Sequence, residues 1–142
     1  MSSGSPLEAA GAAVFDGAGR ILLIKENYDR ERWGFPGGAV EPGETPEETV
    51  LREVREETGV EVRIESLVGV YALADNHLSV HIFRCTIVKG TLVVPPSGEI
   101  ADVRWWPPDA LPWPQTNALY YGLPDVIAGR SNLVRRGLSR VT

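Results

Sequence analysis

The sequence has one cysteine, two histidines and no long hydrophobic run. A lone Cys85 excludes an internal disulfide and fits a reducing compartment, with burial in a strand as its expected role. His77 and His81 have no third ligand nearby in sequence, so they are read as structural or surface residues rather than a metal pair. No apolar stretch reaches the roughly 18 residues that cross a bilayer, and no signal-peptide pattern opens the chain. Repeats are absent as well. Lysine and arginine number 14 against 19 acidic residues, a net charge of −5. That balance argues against a nucleic acid polymer or a membrane surface as partner. Small phosphorylated molecules stay open, because a bound metal reverses the local field. The expectation is a soluble, cytoplasmic protein.

At 142 residues the chain is one domain with room for a real core, and 43% hydrophobic and 23% charged residues are ordinary globular values. We read residues 1–8 as a flexible start, 9–130 as the domain, and 131–142 as a basic, poorly packed tail.

What is present in quantity lies between Gly38 and Val60. A glycine-rich turn, Gly38 to Glu44, precedes a helix with both ends marked. Thr45 caps it, Pro46 suits its first position, Glu48 completes a capping box, and Gly59 stands where a left-handed residue ends a helix. At about 100° per residue, Glu53, Glu56 and Glu57 share one arc that borders the apolar stripe of Val50, Leu51, Val54 and Thr58. Three carboxylates in one arc repel one another. As an isolated feature this is a salt-bridged surface face, with Arg52 between Glu48 and Glu56. The adjoining Gly37, Gly38 and Gly43 shift the reading, since they allow backbone to close on an ion or phosphate, and oxygen clusters suit Mg²⁺ or Mn²⁺.

This stretch resembles the signature of the Nudix hydrolases. Gly38, Glu44, Arg52, Glu53, Val54, Glu56, Glu57, Gly59 and Val60 fill all of its fixed positions across 23 residues. The resemblance implies an α/β/α sandwich with a mixed β-sheet. It also implies Mg²⁺- or Mn²⁺-dependent hydrolysis of a diphosphate linkage in a nucleoside diphosphate joined to another moiety. Carried over residue by residue, Glu53, Glu56 and Glu57, the Gly37 carbonyl and Glu99 become metal ligands. Glu53, Glu56 or Glu99 becomes the general base, Arg52 orients Glu53, and Glu44 steadies the loop–helix junction. Asp102 stands behind Glu99 as a further acid.

Along the rest of the chain, Ala9–Phe15 and Ile21–Ile24 read as a hairpin around Asp16-Gly-Ala-Gly19. Val60–Tyr71 and Leu78–Val88 read as strands, with Thr91–Val94 resuming the second after Gly90. Gln115–Ala128 reads as a helix interrupted or kinked at Gly122 and Pro124. Candidate substrate contacts are Lys25 on a phosphate, Phe35 and Gly38 beside the metal site, and Asn117. Trp33 and Phe35 are otherwise expected in the core. Of Trp105 and Trp106, one packs inside and the other stacks on a base, with Trp105 assigned to the substrate. Asn117 either contacts a purine, as in the MutT-type branch, or caps a helix.

Within this resemblance, triphosphate cleavage to monophosphate and pyrophosphate is the default and ADP-ribose-type sugars are the alternative. A silent nucleotide sensor and an isoprenoid diphosphate isomerase are rival classes; Mg²⁺-dependent phosphate or pyrophosphate release separates the hydrolase from both. The expected partner is a small nucleotide, and a homodimer stays open.

Overall fold

Alternation along the first strand divides the interior in two. The computed structural model describes residues 7–75 and 77–141. In β1, Leu7–Val14, the side chains of Ala10, Ala12 and Val14 join one apolar cluster and Ala13 joins another on the opposite face. The period of two in a strand forces this split. Helix α1, Pro46–Thr58, covers the first cluster through Val50 and Val54. Helix α2, Asn117–Ile127, covers the second through Leu119, Leu123 and Val126. The strands between them make an α/β/α sandwich.

The remaining strands are β2 (Ile21–Glu26), β3 (Trp33–Gly34), β4 (Gly37–Ala39), β5 (Val60–Leu73), β6 (Leu78–Gly90), β7 (Ile100–Trp106) and β8 (Leu133–Leu138). They form a five-stranded sheet of order β4-β1-β6-β5-β8 and a three-stranded sheet of order β3-β2-β7. The larger sheet is mixed. β1 pairs parallel with β6 and antiparallel with β4, while β5 pairs antiparallel with β6 and parallel with β8.

Several expectations need correction. β1 and β2 do not form a hairpin beyond the bridge Phe15–Ile21, because β4 and β6 already occupy both edges of β1. The turn itself is as read, with Asp16 Oδ1 accepting from the Ala18 and Arg20 backbone N–H groups at 2.9 and 2.8 Å. Thr91–Val94 is not a strand. Val93 N–H instead donates to the Thr58 carbonyl at 2.9 Å, so the segment crosses the C-terminus of α1. Helix α2 runs through Gly122 and Pro124 without interruption. The helix carbonyl that loses its N–H partner at Pro124 belongs to Tyr120, an exposed residue.

Both ends of the chain also depart from the expected boundaries. Leu7 and Glu8, read as part of a flexible start, lie in β1; the rest of that segment, residues 1–6, lies outside the described residues. The tail read at 131–142 contains β8 instead. Its Arg135 forks onto buried Asp125, Nε to Oδ2 and Nη2 to Oδ1, each at 2.8 Å. Arg130 and the Tyr71 hydroxyl complete the shell of Asp125 at 2.8 Å each. Arg135 of the stretch read as a poorly packed tail, and Arg130 just ahead of it, serve one buried carboxylate.

Candidate active site

The helix that carries the acids is fixed at both ends as its sequence dictates. Thr45 Oγ1 accepts from Glu48 N–H at 3.1 Å, and Glu48 Oε1 accepts from Thr45 N–H at 2.9 Å. Gly59 closes the helix with φ 83°, a left-handed conformation that favours glycine. Between these caps Arg52 gathers the acids. Its Nε and Nη2 fork onto Glu44 at 2.6 and 3.0 Å, and its Nη1 reaches Glu53 Oε2 and Glu56 Oε1, both at 3.0 Å. The two N–H bonds from Arg52 hold the Glu44 carboxyl down at about 2, aided by the Thr49 hydroxyl. Glu44 also accepts from the Glu41 N–H at 3.0 Å, so it ties the glycine loop to the helix.

Burial places Glu57 in the opposite condition. Its carboxyl is pushed up to about 8 by burial, opposed by one backbone hydrogen bond from Gly37 N–H at 2.7 Å, and raised further by Glu53, Glu56 and Glu99. Burial also raises Glu53 above the ordinary range, with Arg52 pulling the other way. Strand β4 lies close enough that a Cβ on Gly38 would stand 2.5 Å from Glu53 Oε2. A larger residue there would displace the Glu53 carboxylate, so glycine is favoured by contact rather than by dihedral angle.

Two depressions meet at this helix. A cleft of about 540 Å³ is lined by Glu53, Glu56, Glu57 and Glu99 together with Pro95 and Ser97. A larger cavity of about 1030 Å³ takes Glu57 as a wall it shares with the cleft, and extends past Gly37, Phe35 and Tyr71 to Asn117. Four of the predicted acids therefore come together, with Gly37 and Gly38 beside them. Among the described residues no three ligands already converge on a single point. Glu53 and Glu56 are turned to Arg52, and Glu57 to Gly37. The donor set nevertheless fits a hard divalent cation. It is all oxygen, four carboxylates lining one cleft with Arg52 as the cation hydrogen-bonded to two of them.

Other predicted contacts divide. Phe35 lines the cavity while packing at 7% exposure in the core. Asn117 lines it too, but the helix cap is Thr116, whose Oγ1 accepts from Leu119 N–H, and Asn117 Oδ1 accepts from Val141 N–H at 2.8 Å. Lys25 lies beside Trp33 and Asp102 in the smaller sheet and lines neither depression. Trp105 lines neither as well; it packs on the α1 side, and Trp106 meets Trp33 edge-on at 5.1 Å on the α2 side. Asp102 is spent on Arg104 at 2.8 Å. His81 pairs with Glu8 at 2.9 Å, and His77 has φ 56° at the strand's approach.

The reading missed Arg32. It is the cation among the described residues lining the large cavity, held by buried Glu26 Oε1 at 3.2 Å. Its signal was local, a Glu26–Arg32 pair spanning a short polar loop, but loop charges ordinarily read as solvated.

Comparison with known proteins agrees with this geometry. A family model described as NUDIX domain matches residues 6–126. A MutT-like protein of Streptomyces ambofaciens is 37% identical over 117 residues, covering 82% of this chain and 74% of that protein. A putative 8-oxo-dGTP diphosphatase of Bacillus subtilis strain 168 is 34% identical over 105 residues, covering 74% and 69%. The crystal structure of a MutT NUDIX hydrolase from Burkholderia pseudomallei superposes with TM-score 0.79 at 31% identity, covering 86% of this chain and 98% of that one. With the match spanning both the acidic helix and the sheets that aim it, the chain belongs to the Nudix family and is a hydrolase acting on nucleoside diphosphate-linked substrates.

Proposed function

We propose that the protein cleaves a nucleoside triphosphate to a monophosphate and pyrophosphate with Mg²⁺ or Mn²⁺ as cofactor. The observation that carries the reading is the shared wall at Glu57. An acidic cleft suited to a cation opens directly beside a cavity large enough for a nucleotide. The relative named putative 8-oxo-dGTP diphosphatase supports a triphosphate, and a relative named ADP-ribose pyrophosphatase keeps ADP-ribose-type sugars as the alternative.

Glu53, Glu56, Glu57 and Glu99, with the Gly37 carbonyl, are the residues that would hold the cofactor. When bound, a divalent cation neutralises the diphosphate and makes water more acidic. The chain supplies the rest. A carboxylate of Glu53, Glu56 or Glu99 takes the proton as water oxygen bonds to phosphorus and the bridging P–O bond breaks. Arg52 hydrogen-bonds both Glu53 and Glu56 and orients them at the cleft. Arg32, fixed by Glu26, is positioned to meet a phosphate oxygen in the cavity. The single free thiol, Cys85, which burial pushes up to about 12, fits action in a reducing cytoplasm on a small nucleotide.

The test is incubation with Mg²⁺ and deoxynucleoside triphosphates, oxidised dGTP, ADP-ribose, NADH and diadenosine polyphosphates, with products resolved by chromatography. Pyrophosphate and a monophosphate from one favoured triphosphate are expected. Tight binding of a nucleotide with no turnover of any compound would replace this reading with a nucleotide sensor.

A further inference from the structure

The large cavity crosses the five-stranded sheet from edge to edge. At one edge β4 supplies Gly37 and Gly38 beside Glu57, and at the other β8 supplies Leu138. Four interstrand spacings lie between, about 19 Å at ~4.8 Å each. Leu138 falls outside residues 6–126, the part matched by the family.

The backbone of this last segment grips the cavity from behind. Leu138 carbonyl accepts from Ala74 N–H at 3.0 Å, and Ser139 carbonyl accepts from the Tyr121 hydroxyl at 2.7 Å. Val141 N–H donates to Asn117 Oδ1 at 2.8 Å. Tyr121 and Asn117 both line the cavity, so each is set by a residue of the segment. Because Asn117 Oδ1 faces a backbone N–H, its amide orientation is fixed, and the NH₂ is what the side chain keeps to offer. Around Leu138 the lining is apolar and aromatic, with Tyr71 and Val80 as neighbours in the same cluster. Arg135 anchors the segment to buried Asp125.

The geometry points to residues 133–141 as the end wall of the substrate cavity, with Leu138 as the residue that selects the moiety farthest from the diphosphate. Its apolar and aromatic lining suits a flat base rather than a further phosphate or a charged group. This rests on diphosphate cleavage at the Glu57 end, as proposed above.

The experiment compares wild type, Leu138→Ala and Leu138→Phe on purine and pyrimidine deoxynucleoside triphosphates, and on ADP-linked and UDP-linked sugars. The quantity read is the purine-to-pyrimidine ratio of kcat/KM. The same ratio is taken from Kd values measured by calorimetry, so the wall is tested whether or not triphosphates are cut. Shortening the side chain is expected to change the ratio by about 10-fold through KM, with kcat nearly constant. Phe is expected to shift it the opposite way, and Leu138→Met to restore it. Both ratios unchanged within about twofold in Leu138→Phe, a variant that keeps the apolar contact, would overturn the inference. Turnover of nucleotide sugars alone, with the ratio still shifted, would overturn the triphosphate reading and leave the wall standing.

Discussion

Glu57 is buried against the backbone of Gly37, whose N–H donates to its Oε1 at 2.7 Å. One amide does not offset the loss of water around a carboxylate, so burial pushes this carboxyl up to about 8 and ionising it carries a cost. Glu57→Gln removes the cost and the ligand together. Its rate is expected to fall at least about 10²-fold. In thermal unfolding, Mg²⁺ should raise the midpoint of wild type and leave that of Glu57→Gln much less affected. Equal Mg²⁺ shifts in the two proteins would detach Glu57 from the cation.

In the proposed mechanism Arg52 orients rather than reacts. It spreads one guanidinium over Glu44, Glu53 and Glu56, a planar fork that lysine does not reproduce. Arg52→Lys is expected to lose about 10- to 100-fold in kcat with little change in KM. Steady-state kinetics at saturating Mg²⁺ checks it; a defect that appears in KM alone would contradict the role.

Two glycines in the signature should fail in different ways. At Gly38 an added methyl collides with the Glu53 carboxylate, whereas at Gly59 the strain is in the backbone at φ 83°. Gly38→Ala is therefore expected to lose activity with modest loss of stability. Gly59→Ala should lose about 1 kcal/mol of stability, with its added Cβ also crowding Val93 Cγ2 at 2.8 Å. Denaturant unfolding and turnover measured on both variants separate the two effects.

Acid should release the C-terminal strand. Hydrogen bonds from Arg135, then Arg130 and Tyr71, hold the Asp125 carboxyl well below its ordinary 3.8. A depressed carboxylate contributes stability that is intact above its ordinary value and is lost as pH falls through the folded one. Wild type should thus lose stability below about pH 4. Asp125→Asn should be less stable at pH 7 by about 2 kcal/mol, less than for a fully buried pair because both arginines are half-exposed. It should also have a flatter acid limb, read by urea unfolding across pH.

Local signals were the legible ones. Thr45, Pro46, Glu48 and Gly59 mark the helix by interactions that stay within a few residues, and the acid spacing put three carboxylates on one arc. Long-range partners were hidden. Lys25 and Arg32 are both short-range basic residues in the sequence, and only the pairing of β2 with β3 and β7 decides which reaches the cavity. Trp105 and Trp106 were correctly separated onto opposite faces, and each packs against a core cluster without lining either depression. The tail misled for a related reason. Asp125 is matched to Arg135 ten positions later and to Tyr71 in another element, a pairing composition does not encode.

Strand β8 also covers part of the outer edge of β5 at the end of the larger sheet. Without it, the stretch of β5 from Gly69 to Leu73 that pairs with β8 would end the larger sheet and offer unpaired N–H and C=O groups to any strand that arrived. β8 takes that place with Arg135 and Arg136 on its exposed length, charges that discourage further strand addition. Loss of the segment would accordingly be felt first as aggregation during expression, before any substrate is offered.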